Sequence, residues 1–203
     1  MKKWLVFAFL VLNISVLMAQ GPAVPANTVI DSVKVKWGKV RIVDGDEMNS
    51  ANDIVENIAA SKECSTLASA IAGAGLTETF KSKGPITVFA PTNQAFDKLP
   101  AGKLDSLLKP DHKLDLNYLI TYHAIAGRLT ARDIEHKINT SNGEAVFTTL
   151  AGSKLTAKID QNRNIVLVDE SGNESIISKF DIPQSNGVLF IITGVLMPKP
   201  KAI

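Results

Sequence analysis

The spacing of apolar residues divides the chain into two parts. Between residues 50 and 121, apolar side chains recur at helical spacing, which predicts amphipathic helices. From residue 122 onward they alternate with polar residues in short runs, separated by turn clusters such as SNG, DQNRN and PQSNG. This second pattern predicts short strands joined by hairpins. Helices kept apart from mostly antiparallel strands predict an α+β fold, with the strands in a small sandwich or meander.

Two pairs of polar residues have the spacing of a capping box. Ser50 precedes Asp53 by three positions, and Thr130 precedes Asp133 by the same distance. In this arrangement the two side chains satisfy the unpaired N–H groups at the start of a helix. We therefore predict helix starts at Ser50 and at Thr130.

The run ITVFAPTNQAF predicts a strand that turns directly into a helix. Ile86–Ala90 is β-branched and aromatic, and Pro91 has no N–H group with which to extend a central ladder. Thr92 or Asn93 can cap the following helix, whose buried face begins with Phe96. These polar side chains are expected to serve the backbone rather than catalysis.

Residues 1–19 predict a secretory signal peptide. Lys2 and Lys3 precede the apolar run WLVFAFLVLNISVLMA, which ends on the small residue Ala19. A positive head, an apolar middle and a small final residue are typical of such a peptide, and the run is short for a membrane span. An uncleaved anchor is the alternative. The prediction implies export, either to the periplasm or to the extracellular space.

Residues 20–49 predict a tether followed by an extended basic segment. In DSVKVKWGKVRIVDG, apolar residues alternate with Lys and Arg, which predicts extended backbone over residues 33–42 with one apolar and one basic face. A solvated basic face discourages edge pairing, and a binding face for an acidic polymer or surface is the alternative. The remaining sequence is expected to form one domain over residues 50–198 and a tail over residues 199–203.

Composition narrows the choice of partners. The 22 Lys and Arg residues against 20 Asp and Glu residues leave a net charge of +2, which is not the clustered basic excess of a nucleic-acid-binding protein. Cys64 is the one cysteine in this sequence, which excludes an intrachain disulfide and a cysteine-based zinc site. We expect Cys64 to be a small buried apolar side chain.

The sequence lacks the local motifs of common catalytic and metal sites. It has no GxSxG, no HExxH and no phosphate-binding glycine loop, and His112, His123 and His136 are scattered. Asp160 begins a calcium-like DQNRN segment, but Ile165 stands where such a loop requires Gly. We predict no catalytic residue, no metal and no cofactor.

Three blocks of the sequence resemble the signature segments of the fasciclin family (FAS1 or βig-h3 domains). These are GPITVFAPTNQAFDKLPAG, LITYHAIAGRLTARDI and KFDIPQSNGVLFIITGVLMP. They occur in the order of the family, without large gaps, between Ser50 and Pro198, and the chain looks like a small secreted bacterial member. The structural positions marked by the resemblance are Pro91, Thr92, Asn93, Phe96, Asn186 and Gly187.

The resemblance implies a wedge-shaped sandwich of two β-sheets flanked by several α-helices. It also implies an exported, non-catalytic module that mediates cell adhesion or extracellular-matrix or cell-surface association, through binding of a protein or glycan. A periplasmic protein that binds a small ligand or a polysaccharide is the alternative. A Ser-His-Asp hydrolase is a third hypothesis, which requires His123 or His136 beside a serine hydroxyl.

Adhesive roles in the family are associated with two segments that correspond here to Tyr122-His123 and Asp181-Ile182. The resemblance therefore marks these four residues as candidate binding residues. The neighbouring residues in the sequence lead to a different expectation. They predict that His123 is a hydrogen-bonded imidazole in the core and that Ile182 is a core residue. Asp181 is expected to bond the backbone of the PQSNG turn. The residues on either side of the Asp181-Ile182 pair depart from the integrin-binding animal pattern, so an integrin is not the expected partner.

Overall fold

A computed structural model describes residues 38–82 and 84–199. The predicted signal peptide and most of the predicted tether lie outside the described residues, as do residues 33–37 of the predicted basic segment. The strands are β1 (Val40–Val43), β2 (Asp46–Asn49), β3 (Ile86–Pro91), β4 (Ala124–Ala126), β5 (Glu144–Thr148), β6 (Lys154–Ile159), β7 (Ile165–Val168), β8 (Glu174–Gln184) and β9 (Gly187–Ile192).

Helices occupy the first half of the described chain, with one more between β4 and β5. They are α1 (Ile54–Ala60), α2 (Ser65–Gly73), α3 (Thr77–Ser82), α4 (Asn93–Asp97), α5 (Lys103–Leu107), α6 (Lys113–Tyr122) and α7 (Ala131–Thr140). Helix α3 was not predicted because Phe80 is its one buried residue, which leaves no apolar periodicity to detect. Among the described residues, no helix combines the length and apolarity needed to cross a bilayer.

The strands of the described chain form a seven-stranded sheet with the order β4-β3-β9-β8-β7-β6-β5, and a separate β1–β2 hairpin. Neighbouring strands of the large sheet are antiparallel except for β3 and β9, which run parallel. Most helices come before β4 and the last five strands follow one another directly, and the predicted α+β class is confirmed. The parallel pair requires a long crossover from β3 to β9, which includes α4 to α7.

The large sheet folds into two layers along β8. This strand is 11 residues long, and its register against β9 shifts twice between Ile177 and Ile182. Such bulges bend a strand and increase its twist. The two outer strands of the sheet consequently approach one another, and Ile125 in the middle of β4 bridges Thr149 just after β5. The result is the wedge of two β-layers expected from the sequence.

Strand β9 is buried on both faces. Val188 and Phe190 belong to an apolar cluster between the two layers, where the Phe89 and Phe190 ring centroids lie 5.5 Å apart. Leu189 and Ile191 belong to a second cluster that joins the sheet to α1, α2 and α6. Burial on both faces explains why β9 reads as a continuous apolar run rather than as an alternating one.

The strand-to-helix turn after β3 uses its polar residues for the backbone. Pro91 ends β3, and the Thr92 hydroxyl accepts a hydrogen bond from the Ala95 N–H at 3.2 Å as the N-cap of α4. Phe96 is buried one turn further on. Of the two candidate caps, Thr92 therefore serves α4.

Asn93 has a different structural task, because it serves the start of α2. Its side-chain oxygen accepts from the Thr66 N–H at 3.0 Å, and its amide nitrogen donates to the Lys62 carbonyl at 2.7 Å. One amide side chain thus fixes α2 against the turn that follows β3. Neither of the two polar residues at this turn is left for chemistry.

Asn186 performs a similar task between two other helices. Its side-chain oxygen accepts from the Ile54 N–H at the start of α1 at 3.0 Å, and its amide nitrogen donates to the Phe80 carbonyl in α3 at 2.7 Å. The next residue, Gly187, has no room for a side chain, because a Cβ there would lie 2.0 Å from the Ile86 carbonyl oxygen. The Asn-Gly pair is therefore required for packing between β3, β9 and these helices.

The first capping box lies three residues later than predicted. Asp53 is the N-cap of α1: it accepts from the Glu56 N–H at 2.8 Å, and the Glu56 carboxylate accepts from the Asp53 N–H at 2.9 Å. The prediction of a helix start at Ser50 is thus wrong. The Ser50 hydroxyl instead accepts from the Lys39 N–H at 2.9 Å and helps to close the β1–β2 hairpin.

The described part of the basic segment is exposed on both faces, at Lys39 and Arg41 as well as at Val40 and Ile42. Arg41 points toward the domain, and its Nη1 donates to the carbonyls of Phe180 and Asp181 at 2.7 and 3.1 Å. Val40 and Ile42 are 55% and 61% exposed. Alternation correctly predicts an extended segment, but it does not determine which face meets the protein.

Candidate functional site

His123 lies under the surface at the end of α6, where only 1% of it is exposed. Its Nδ1 lies 2.9 Å from the Leu119 carbonyl oxygen, and the Leu196 N–H donates to its Nε2 at 3.0 Å. A carbonyl can only accept and an N–H can only donate, so the imidazole is neutral with its proton on Nδ1. The ring connects α6 to the C-terminal segment.

The environment of His123 opposes a positive charge. Burial lowers the pKa of the His123 imidazole to about 4, and the Leu119 carbonyl and the Asp169 carboxylate counteract this effect only in part. An imidazole with both nitrogens occupied by main-chain groups has no position left for a hydroxyl or for a partner molecule.

Tyr122 is fully buried and its hydroxyl has two main-chain partners. The O–H donates to the Lys154 carbonyl at 2.7 Å and accepts from the Glu170 N–H at 3.1 Å. Burial raises the pKa of the Tyr122 phenol well above its ordinary value. The side chain thus joins α6 to the β-layers, and no part of it reaches the surface.

The other predicted pair is divided between core and surface. Ile182 is 0% exposed and belongs to the cluster between helices and sheet, whereas Asp181 is exposed. Asp181 lies in the bulged part of β8 with a φ of 52°, in the left-handed region. Of the four candidate binding residues, the structure places only Asp181 where a partner can reach it.

The Asp181 side chain bonds to a helix rather than to the predicted turn. Its Oδ1 accepts from the Ala131 N–H in the first turn of α7 at 2.7 Å. Thr130, the N-cap of α7, and Asp133 form the predicted capping box beside it. The Arg41 guanidinium holds the main chain at Asp181 from the other side. The residue is thus held in a strained conformation from two directions.

A concave surface borders this segment. It lies between α7 and the β6–β7 hairpin and has a cavity volume of ≈ 510 Å³, within the range of small-ligand sites. Its walls carry one acidic and one basic residue, Glu135 and Arg163, above an apolar floor that includes Ile159 and Ile165. Phe180, the neighbour of Asp181, closes one end. Charge of both signs next to apolar surface suits a protein or a sugar polymer.

The three histidine rings do not form a catalytic pair within the described residues. The His123 ring bonds two main-chain groups, and the His112 Nδ1 lies 3.0 Å from the Asp115 Oδ2. The hydrogen bonds found for residues 38–82 and 84–199 join no histidine ring to a hydroxyl group. The same part of the chain contains no group of three or more His, Cys, Asp or Glu residues placed to hold a metal.

Comparison with known proteins identifies a family model that matches most of the described chain. The model of the fasciclin domain matches residues 62–198. Protein sll1483 of the cyanobacterium Synechocystis is 38% identical over 160 residues, which are 79% of this chain and 81% of that protein. The cell surface glycolipoprotein MPT83 of Mycobacterium tuberculosis is 37% identical over 66% of this chain and 55% of its own length.

A solved structure has the same fold. It is a FAS1 domain pair from the insect cell adhesion molecule fasciclin I, with a TM-score of 0.62, and the match covers 74% of this chain and 51% of that one. The sequence identity is 13%, so the likeness concerns the fold alone. It agrees with the wedge of two β-layers described above.

Proposed function

This chain belongs to the fasciclin domain family, and on that premise we propose that it is an exported, non-catalytic interaction module. It associates with cell-surface or extracellular-matrix material by binding a protein or a polysaccharide. The predicted signal peptide supports export. A relative named as a cell surface glycolipoprotein and a structural neighbour from a cell adhesion molecule support a role at the cell surface.

The position of Asp181 is the observation that carries the proposal. Backbone in the left-handed region is uncommon outside glycine, and bulges that hold a side chain outward are concentrated near functional sites. Here the bulge, the α7 N-terminus and Arg41 together present Asp181 beside a concave surface of mixed charge. Tyr122, His123 and Ile182 are buried and serve the fold.

The absence of catalysis is part of the same proposal. Thr92, Asn93 and Asn186 at the sheet-to-helix turns bond to main chain, and the hydrogen bonds of the His112 and His123 rings join neither ring to a hydroxyl group. Family members of this kind are in general adhesion modules. We therefore assign the exposed surface, not a pocket residue, as the working part of the protein.

Replacing Asp181 with Asn tests the proposal. Asn tolerates the left-handed region, and its side-chain oxygen can still accept from the Ala131 N–H, so the fold is retained while the charge is lost. We expect binding to purified matrix polysaccharide or envelope protein to weaken roughly ten- to hundredfold, as for loss of a charged hydrogen bond. Biolayer interferometry with immobilised wild-type and variant protein measures the change.

Asp97→Asn is the matched control, because Asp97 is an exposed carboxylate on α4. It should bind like the wild type. Equal affinity of the Asp181→Asn and Asp97→Asn variants, at unchanged melting temperatures, would remove Asp181 from the binding surface. If the wild type binds none of the surface or matrix fractions, the adhesion proposal itself fails.

A further inference from the structure

The concave surface beside Asp181 carries three polar side chains on its walls, Glu135, Asn139 and Arg163. We call this surface, between α7 and the β6–β7 hairpin, the α7 groove. Glu135 and Asn139 are four residues apart in α7, so they lie on the same face of the helix. Arg163 belongs to the turn of the hairpin, which forms the other wall. Polar groups from two separate elements therefore converge on one cavity.

These three side chains have hydrogen-bonding capacity that the fold does not use. Within residues 38–82 and 84–199, the hydrogen bonds and ion pairs include none from the Glu135 carboxylate, the Asn139 amide or the Arg163 guanidinium. All three residues are exposed. A carboxylate accepts hydrogen bonds, a guanidinium donates them and an amide does both. The groove therefore suits a ligand rich in hydroxyl groups, which also donate and accept.

The hairpin turn holds Arg163 in a fixed position. Its φ is 65°, in the left-handed region, and its N–H donates to the Asp160 carbonyl at 3.0 Å. The Asp160 Oδ1 accepts from the N–H groups of Asn162 and Asn164 at 2.9 and 2.8 Å, which closes the turn. Because the backbone that carries the guanidinium is already ordered, a ligand does not have to order it on binding.

The floor of the α7 groove is apolar and partly accessible. Ala131, Ile159 and Phe180 line the groove and are each half-buried. They pack against the apolar cluster between the two β-layers, so the core supports the floor. The main chain at Phe180 is fixed further, because its carbonyl accepts from the Arg41 guanidinium at 2.7 Å.

The surroundings of the groove do not favour a protein as the ligand. Protein interfaces depend on a few large apolar or aromatic anchors that become fully buried. In the described chain, the exposed large apolar residues are Val40, Ile42, Leu108, Leu114, Val146 and Ile176. None of these lines the α7 groove. Polar walls above a small apolar floor match a sugar chain better, because a sugar ring has a hydroxylated rim and apolar faces.

The charges of the groove favour a neutral chain. Its lining residues in the described chain include one carboxylate, Glu135, and one guanidinium, Arg163, and no lysine. Asp181 adds a second carboxylate next to the Phe180 end of the groove. An anionic polymer would therefore meet no excess of positive charge here, whereas neutral hydroxyl groups can bond to both kinds of charged side chain.

We propose that the α7 groove binds a polysaccharide of neutral pyranose units with equatorial hydroxyl groups. This inference rests on the proposed function and names the ligand class of its surface. Equatorial hydroxyl groups leave both faces of the ring apolar, and one face packs on Ile159 and Phe180. Hydroxyl groups at the rim donate to the Glu135 carboxylate and accept from Asn139 and Arg163.

Isothermal titration calorimetry with cellopentaose, a short soluble chain of such units, tests the inference. We expect the wild type to bind it, and Arg163→Gln and Glu135→Ala each to weaken binding about tenfold, because each removes a hydrogen bond of a charged group. Both residues are exposed, so the fold is retained, and unchanged melting temperatures verify this.

Two matched variants on α7 are the controls. Arg132→Gln and His136→Ala change exposed residues that do not line the groove. Both should bind cellopentaose like the wild type. If Arg132→Gln weakens binding as much as Arg163→Gln does, the α7 groove is not the binding site.

An acidic chain tests the dependence on charge. Pentagalacturonate carries a carboxylate on every unit, and it should bind the wild type at least about tenfold more weakly than cellopentaose, because Glu135 and Asp181 repel it. Glu135→Ala should reduce this difference. Tighter binding of pentagalacturonate than of cellopentaose would overturn the inference and identify an acidic polymer as the ligand.

Binding to envelope and matrix fractions, with and without excess cellopentaose, separates this inference from the adhesion proposal. We expect cellopentaose to displace the wild type from a polysaccharide fraction. Binding to a fraction that cellopentaose neither displaces nor itself shows in calorimetry would overturn the inference and leave the adhesion proposal intact. Binding of cellopentaose without binding to any fraction would support the groove as a sugar site and contradict the adhesion proposal.

Discussion

His123 is held as a neutral imidazole by two main-chain groups with opposite hydrogen-bonding roles. The Leu119 carbonyl fixes the proton on Nδ1, and the Leu196 N–H occupies Nε2. Protonation would place a second proton on Nε2, against the Leu196 N–H, in a site without water access. Burial, which removes water from the imidazole, lowers the pKa of His123 to about 4.

The stability of the protein should therefore depend on pH in a defined window. The pKa of His123 is about 4 in the folded state against 6.5 for an ordinary histidine, so between these values the unfolded chain binds more protons. Stability is fully present above pH 6.5 and is lost as the pH falls toward 4, by about 2–3 kcal/mol at pH 4.5.

Urea unfolding of the wild type and of His123→Phe at pH 7 and pH 4.5 measures this contribution. The variant leaves the Leu196 N–H unpaired and should be less stable at pH 7 by roughly 2–4 kcal/mol, with the gap narrowing at pH 4.5. His136→Gln, at an exposed position, should follow the wild type at both pH values. A gap that stays constant with pH would show that His123 does not titrate in this range.

The sequence correctly predicted that certain polar side chains would hydrogen-bond to the backbone. It was less successful in predicting which backbone group each of them would bond to. The turn at Thr92 and Asn93 follows from residue chemistry, but the link from Asn93 to α2 joins positions 27 residues apart, which no local pattern reveals. Asp181 is a similar case. Its bond to the α7 N-terminus spans 50 residues, and the prediction had assigned it to the nearest turn.

At the scale of elements, short helices depend on side chains from elsewhere in the fold. Helices α1 and α3 have seven and six residues, too few to be stable alone. Asn186 joins the first turn of α1 to the last turn of α3. Both helices are thereby fixed at the start of β9.

Asn186→Ala should destabilise the domain by roughly 2–3 kcal/mol. The change leaves the Ile54 N–H and the Phe80 carbonyl without their partner at two helix ends. The neighbouring exposed Ser185→Ala is the control and should change stability by less than about 0.5 kcal/mol. Chemical denaturation measures both, and a similar midpoint for the two variants would contradict the bridging role of Asn186.

Element positions were predictable where periodicity is strong and less so where two local patterns overlap. Ser50-Asp53 and Asp53-Glu56 both have capping-box spacing, and the β1–β2 hairpin decides between them because it uses the Ser50 hydroxyl. The orientation of β1 was not predictable for a related reason. An alternating strand has two faces, and the contact of Arg41 with β8 arises only from the tertiary fold.

For the whole molecule, the C-terminal segment after β9 closes the core. Leu196 is buried between the layers and donates to His123, and the Met197 N–H donates to the Asp169 carboxylate at 2.9 Å. This closure could not be predicted from the sequence, because it joins Leu196 to His123 over a separation of 73 residues.

A chain that ends at Val195 should fold but be less stable than a chain that ends at Lys199, by roughly 3–5 kcal/mol. The loss combines the cavity left by Leu196 with the unpaired His123 ring. Circular dichroism should report retained strands in both chains, since β9 ends at Ile192. Equal melting temperatures would mean that the segment does not close the core.

Strand β9 lies between β3 and β8, although it is the last strand of the described chain to be synthesised. A growing polypeptide therefore cannot complete its central ladder until nearly the whole domain has left the ribosome. Under the proposed export, in which the chain would cross a membrane unfolded, this order of synthesis would be an advantage. The final register forms only once Phe190 and its neighbours are available to both layers.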